Sequence, residues 1–222
     1  IRELEQLTND LNLTNKEIKE GKGKIPKYQA IYLDSLNENK FNIIKTNNLF
    51  KKFVENFKNY QNCEINLDKK DEKILRDYQK IGVKWLYNLK KCDLGGILAD
   101  EMGLGKSLQT ICFIKQLLKE DKASKILIVT PTSLCYNWEK ELLKFAPEIK
   151  YHVFTENRSY RHELLEKLEP NIYITSYGLV REDLELYKTK KFKVCIIDEA
   201  QNIKNPTAGI TKAVKSIDAA YE

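Results

Sequence analysis

The chain has 222 residues, 42% of them hydrophobic and 32% charged, with a formal net charge of +6. That length suits one α/β domain with an appendage, and the composition gives a real core beneath a soluble surface. It excludes a bilayer span, because no apolar run is long enough, and the lysine surplus permits a polyanionic partner without establishing one.

Nothing at the start reads as a signal peptide. The chain opens at Ile1 rather than Met, so a fragment of a longer protein is expected. The cysteines (Cys63, Cys92, Cys112, Cys135 and Cys195) are odd in number and form no C-x-x-C pair. A reduced, cytoplasmic protein without a zinc or disulfide framework follows.

Residues 1 to about 70 are rich in Lys, Asn and Glu and read as a small helical module or the tail of an upstream domain. Gly21-Lys22-Gly23 breaks it. One helix is predicted from Pro26, with Tyr28, Ile31, Tyr32 and Leu36 on a core face, and another carries Phe50, Val54 and Phe57. From Leu75 the pattern alternates between helices and buried strands. Arg76 to Leu89 is predicted helical, with Tyr78, Ile81, Trp85 and Leu89 along the buried face. Gly96 to Leu98 is predicted as a short strand, and Ser107 to Leu118 as a helix with Leu108, Ile111, Ile114, Leu117 and Leu118 inward. Ile126 to Val129 is a continuous apolar run stopped by Thr-Pro, which predicts a buried parallel strand. A helix over Leu134 to Phe145 follows, then strands at Tyr151–Phe154, Ile172–Thr175 and Val194–Ile197, with a helix over Arg161–Leu168. Asn205-Pro206-Thr207 is expected to start a last helix that buries Ile210, Val214 and Ile217. Such alternation defines an α/β fold with a parallel sheet flanked by helices.

Two stretches carry chemistry. Ala99-Asp100-Glu101-Met102-Gly103-Leu104-Gly105-Lys106-Ser107 lies between the strand at Gly96–Leu98 and a helix. Backbone N–H groups of such a loop and helix start cradle phosphate. Lys106 would reach the β- and γ-phosphates, and the Ser107 hydroxyl would ligate Mg²⁺. Asp100 stands where the first glycine of the common pattern sits. Downstream, Val194 to Ile197 pushes Asp198 and Glu199 out at a strand end, where open α/β sheets bind ligands. Asp198 would hold Mg²⁺ and Glu199 would orient and deprotonate water. A pair of surface acids is the alternative, and Gly-Lys-Ser upstream favours catalysis.

Asp198-Glu199-Ala200-Gln201 resembles the acidic box of superfamily-two helicase-like ATPases. Asp100 to Ser107 is similar to the phosphate loop of that superfamily's Swi/Snf branch, where an aspartate at position 100 is usual. Leu75-Arg76-Asp77-Tyr78-Gln79, Val129-Thr130-Pro131-Thr132-Ser133-Leu134 with Asn137-Trp138, Ile174-Thr175-Ser176-Tyr177 and Asn202-Ile203-Lys204-Asn205-Pro206 resemble further blocks in the same order. The resemblance covers roughly residues 72 to 222. Residues 1–70 resemble, more weakly, the region ahead of the ATPase in bacterial members. Ser107 replaces the commoner threonine and Gln201 a frequent histidine.

The resemblance implies a RecA-like lobe over 71–222. It implies ATP and Mg²⁺ as cofactors, with Gln79 reading adenine. Met102, Gly103, Leu104, Gly105, Lys106, Ser107 and Gln201 would line the nucleotide site. It also implies double-stranded DNA as partner, tracked through its backbone, and a monomer that remodels or displaces a DNA-bound protein complex without any membrane role. Thr132, Ser133 and Ser176 are the candidate nucleic-acid contacts, and helix capping is the competing role for Thr132 and Ser133. A helicase acting on RNA or DNA, or a non-catalytic nucleotide-binding module, are the alternatives. The family's next strand and second lobe are expected beyond Glu222. The fragment alone is therefore expected to be nearly inactive, with a gap in its sheet. His152 and His162 read as structural, and Lys140 and Lys144 as a solvated face.

Overall fold

The computed structural model describes residues 11, 14–36 and 45–221. The chain divides into two compact units, Ile1–Tyr60 and Gln61–Glu222.

In the first unit α1 (Asn15–Glu20) starts on a capping box. The Glu17 N–H donates to Thr14 Oγ1 (3.3 Å), and the Thr14 N–H to Glu17 Oε2 (2.9 Å). It stops at Gly21, whose φ of +63° is left-handed. Helices α2 (Lys27–Leu36) and α3 (Asn48–Lys58) follow, and Asn47 caps the second. Leu11 and Leu33 form the small core with Ile25, Leu36 and Phe50. The expected face of α2 is corrected. Ala30 and Leu33 are buried, whereas Tyr28 is 66% exposed and Tyr32 is also exposed. The aromatics there lie outside the core.

The second unit holds α4 (Lys69–Ile74), α5 (Asp77–Lys91), α6 (Lys106–Glu120), β1 (Ile126–Thr130), α7 (Cys135–Phe145), β2 (Tyr151–Val153) and α8 (Arg158–Lys167). Then come β3 (Ile172–Ser176), α9 (Tyr177–Glu182), α10 (Leu184–Lys188), β4 (Phe192–Ile197), α11 (Gly209–Lys215) and β5 (Ala219–Tyr221). The sheet order is β2-β3-β1-β4-β5, and every pairing is parallel. Side chains alternate across it. Ile126 and Ile128 join Ile111, Ile114, Leu117, Trp138 and Leu142 on one face, under α6 and α7. Leu127 and Val129 join Leu165, Val180, Tyr187 and Val214 on the other, under α8 to α11.

Further expectations are corrected. Gly96–Leu98 belongs to no strand, and Ile97 is 80% exposed. The acidic-box strand β4 instead lies between β1 and β5. The segment Ala219–Tyr221, expected to precede the next strand, already forms β5. The last helix begins at Gly209, because the Asn205 side chain accepts the Thr207 N–H and turns the chain over Pro206. On α5 the buried face is Gln79, Val83, Tyr87 and Leu89, while Tyr78 and Ile81 are exposed. Gly82 explains the shift, since a Cβ there would stand 1.9 Å from Gln109 Oε1 of α6.

A buried ion cluster ties α6 to α4. Lys115 Nζ lies 2.6 Å from Asp71 Oδ2 and 3.2 Å from Asp68 Oδ2. Burial opposes the Lys115 charge, yet these carboxylates hold its pKa above the ordinary lysine value.

Candidate active site

The short connection between α6 and β1 turns the helix back along the strand. The start of α6 therefore lies at the carboxyl edge of the sheet, with the ends of β1, β3 and β4. At that start Gly105 has φ +76° and ψ 40°, and no side chain caps the helix. The first turn also lacks an acidic residue. Its N–H groups thus face outward with their positive dipole end uncompensated, which suits an anion.

Gly105 is required twice over. Its φ is left-handed, and an added Cβ would stand 2.4 Å from Gln79 Nε2. Gln79 is 6% exposed, and both ends of its amide are engaged. Nε2 donates to the Leu104 carbonyl (2.9 Å), and Oε1 accepts the Arg76 N–H (2.9 Å). The Tyr78 hydroxyl donates to the same Leu104 carbonyl (3.1 Å). Gln79 thus touches the loop itself, and its second N–H and second carbonyl lone pair remain for another partner.

Lys106 Nζ donates to the carbonyls of Asp100 (2.9 Å) and Glu101 (3.0 Å), so the ammonium is held inside its own loop. Asp100 accepts from Gln109 Nε2 (2.8 Å), which gives the residue in the usual glycine position a structural partner on α6. Gly103 has φ +84°, and Met102 is 91% exposed at the loop tip. The Ser107 hydroxyl makes no hydrogen bond among the described residues.

At the strand ends, Thr130 pairs in register with Ser176, and Val129 with Ile197. Asp198 extends β4 by donating its N–H to the Val129 carbonyl (2.8 Å). Its Oδ2 accepts from Thr130 Oγ1 (3.1 Å) and from Trp138 Nε1 (2.9 Å). The Tyr177 hydroxyl donates to its carbonyl. Burial first, then the Asp198 charge, pushes the Tyr177 pKa well up, so this phenol stays a donor. Glu199 sits at φ +53°, ψ 52°, an uncommon conformation for a side-chain-bearing residue, and its carboxylate accepts from Gln201 Nε2.

The sequence missed Trp138 and Tyr177, since aromatics at core spacing read as packing. A buried indole or phenol needs a polar partner, and that requirement was the available signal. Both histidines also have carboxylate partners. His152 Nε2 lies 2.8 Å from Glu156 Oε1, and His162 Nε2 2.6 Å from Asp183 Oδ1.

Thr132 and Ser133 form a 3-10 turn with Leu134 and are exposed, and neither caps α7. Ser176 is 3% exposed, and its hydroxyl caps α9 by accepting the Leu179 N–H (3.4 Å). Among the described residues no helix is long and apolar enough to cross a membrane.

A parallel sheet under two helical layers, with a glycine-bearing phosphate loop and an acidic strand end on one edge, defines a RecA-like phosphate-loop domain. Residues 78–222 match the SNF2-related domain, and residues 1–68 match the bacterial SNF2 helicase-associated domain. The chain belongs to the SNF2-related family. It is 38% identical over 221 residues to a Mycoplasma pneumoniae protein named as an uncharacterized ATP-dependent helicase, covering 97% of this chain and 21% of that one. It is 41% identical over 158 residues to the TATA-binding protein-associated factor MOT1 of Saccharomyces cerevisiae, covering 65% of this chain and 8% of that one. The Sulfolobus solfataricus SWI2/SNF2 ATPase core in complex with dsDNA aligns at a TM-score of 0.61 and 43% identity, covering 66% of this chain and 30% of that chain. The chain spans about a fifth of the Mycoplasma relative's length.

Proposed function

We propose that this chain is the ATP-binding lobe of a DNA-dependent ATPase that moves along double-stranded DNA to remodel or displace bound protein. The observation that carries this is the shared edge: an uncapped helix start with Lys106 and Ser107, on the same side of the sheet as Asp198 and Glu199. Residues 71–222 would be the lobe and residues 1–70 an N-terminal extension.

The donor set fits Mg²⁺, a hard cation that takes oxygen ligands. The Ser107 hydroxyl and Asp198 Oδ1 accept no hydrogen bond among the described residues, so both are free to take it directly or through water. When bound, the metal would neutralise charge on the β- and γ-phosphates. Lys106 would exchange its two carbonyl partners for phosphate oxygens. The N–H groups of Gly103 to Ser107 would bind the same phosphates, with Met102 at the rim. Glu199, steadied by Gln201, would orient and deprotonate the attacking water. Gln79 would sense the base while remaining against the loop.

Duplex DNA would run along the edge where Thr132 and Ser133 are exposed, held through its phosphates and hence salt-sensitive. Ser176 would contribute through its backbone and by fixing the start of α9. The lobe would work in the cytoplasm as a monomer, together with a second lobe that supplies further cationic groups. Alone it would turn over ATP very slowly.

The test is ATP hydrolysis by the full-length protein with and without duplex DNA. Duplex should stimulate the wild type, and Glu199→Gln should keep nucleotide binding while losing at least about 100-fold in rate. Absence of stimulation, stimulation by single-stranded RNA alone, or an unchanged rate in Glu199→Gln would overturn the proposal.

A further inference from the structure

Three side chains hold Asp198, each from a different element. Thr130 reaches it from the end of β1, Trp138 from α7 and Tyr177 from the start of α9. Both side-chain donors fall on the same carboxylate oxygen, Oδ2, at 3.1 and 2.9 Å. Oδ1 accepts nothing among the described residues. A carboxylate doubly bound at one oxygen presents the other in a fixed direction, since turning it would break both bonds. A buried indole can be satisfied by any acceptor. Here its partner is the residue read as the metal-binding acid.

The chain order adds a second observation. Trp138 stands little more than one helical turn beyond Ser133, and Tyr177 directly follows Ser176. Thr132–Leu134 runs into α7 without a break, because Cys135 at the junction is already helical (φ −53°, ψ −48°). Trp138 itself is buried in the core beneath α7. A shift of the exposed Thr132–Ser133 turn therefore carries the indole with it. The first turn of α9 carries the Tyr177 hydroxyl in the same way. Both segments proposed to meet DNA lead straight to an aromatic that grips Asp198.

We propose that Trp138, backed by Tyr177, is a positioning residue that transmits DNA contact at Pro131–Ser133 to the metal-facing oxygen of Asp198. This rests on the function proposed above. Linkage then requires that duplex DNA and Mg²⁺-nucleotide change each other's affinity by one common factor. Thr130 holds the same oxygen but lies in the sheet. It therefore supports the carboxylate without carrying the coupling.

The experiment uses the full-length protein, a fluorescent ATP analogue and a short DNA duplex at equilibrium. It measures the Mg²⁺ concentration for half-maximal nucleotide binding, the factor by which saturating duplex changes nucleotide affinity, duplex affinity without nucleotide, and the melting temperature. Trp138→Phe keeps an aromatic ring, removes the N–H and gives up part of the indole's bulk, a packing loss that the melting temperature reads separately. It should raise the Mg²⁺ requirement about tenfold, as expected for losing an outer partner of a metal-binding group. It should also shrink the duplex factor to under half its wild-type value, with duplex affinity unchanged. Thr130→Val should raise the Mg²⁺ requirement and keep the duplex factor. Tyr177→Phe should shrink the duplex factor.

A folded Trp138→Phe with wild-type values of both quantities overturns the inference. So does one that shifts the Mg²⁺ requirement but keeps the full duplex factor, because the indole is then a local support only. If Trp138→Phe does not fold, Tyr177→Phe decides, and a wild-type duplex factor in that variant overturns the coupling. A wild-type protein whose nucleotide affinity ignores duplex, and whose hydrolysis is not stimulated by it, fails the proposed function and takes this inference with it. A stimulated wild type beside an unaffected Trp138→Phe fails the inference alone.

Discussion

Gly105→Ala isolates a contact between α5 and the phosphate loop. The new methyl meets two obstacles. An L-residue at φ +76° pays the left-handed penalty, about 1–2 kcal/mol. The Cβ also stands 2.4 Å from Gln79 Nε2, so the amide must swing away. That breaks its bond to the Leu104 carbonyl and loosens the one from the Arg76 N–H, roughly 1 kcal/mol each. The expected loss is about 3 kcal/mol. Gly103→Ala is the internal control. Its φ is +84°, but nothing lies within 4 Å of the added methyl, so only the backbone cost of about 1–2 kcal/mol applies. The smaller unfolded-state entropy of alanine stabilises both variants alike and cancels in the comparison. Urea unfolding of the wild type, Gly103→Ala, Gly105→Ala, Gln79→Ala and Gly105→Ala/Gln79→Ala measures this, with constant m-values as the check on two-state behaviour. Removing Gln79 should recover roughly 1 kcal/mol of the Gly105→Ala loss, a coupling expected of residues in contact. If Gly105→Ala costs no more than Gly103→Ala, or if the double variant is simply additive, the Gln79–loop contact has no energetic content.

Other predictions follow from groups outside the loop. Lys115→Met leaves Asp71 buried without its cation and should cost about 3–5 kcal/mol in urea unfolding, part of it recovered by adding Asp71→Asn; an effect under about 1 kcal/mol would deny the cluster its role. Asp68 is held below the usual carboxylate range by the hydrogen bond from Lys119, and Glu169 by those from Lys125 and Lys190. Because their folded pKa values are depressed, the stability they add is complete above the ordinary carboxylate pKa and drains away as pH falls through the lower folded values. The urea midpoint should therefore drop as pH falls below the ordinary carboxylate pKa of about 4, and a flat profile would contradict the assignment. Burial pushes the Cys112 thiol up to about 12 and the Cys135 thiol to about 11, and all five cysteines are buried and outside any disulfide. A thiol reagent at pH 8 should label native protein slowly and unfolded protein at five sites; rapid native labelling of Cys112 or Cys135 would be the contrary result.

Much of the lobe was written in local pattern. The continuous apolar run at Ile126–Val129 could only be a strand buried on both faces, and the spacing of Leu108, Ile111, Ile114 and Leu117 fixed the inner face of α6. The phosphate loop and acidic box were legible because their chemistry demands particular residues at short spacing. What depends on neighbours was not legible. Gly96–Leu98 has a strand's composition, but a strand exists only where a partner's N–H and C=O groups meet it. The inner face of α5 turned on Gly82 making room for Gln109 from another helix. Tyr28 and Tyr32 had helical spacing, yet the face that found a partner was that of Ala30 and Leu33. Trp138 and Tyr177 concealed polar ends inside an apolar rhythm, and their acceptor lies 60 and 21 positions away.

The two carbonyl bonds to Lys106 make that lysine a brace as well as a grip. Two of the three ammonium N–H groups are held by main-chain carbonyls, so phosphate can take the third directly and the other two only by displacing those acceptors, which ties a full grip to loop shape. A Lys106→Ala protein would lose its internal brace before any nucleotide is offered. Its silence in an assay would mix a slackened loop with a missing charge, which makes it a poor blank for this site. Glu199→Gln, which retains an oxygen for the Gln201 amide, leaves the brace standing and reports on water activation alone.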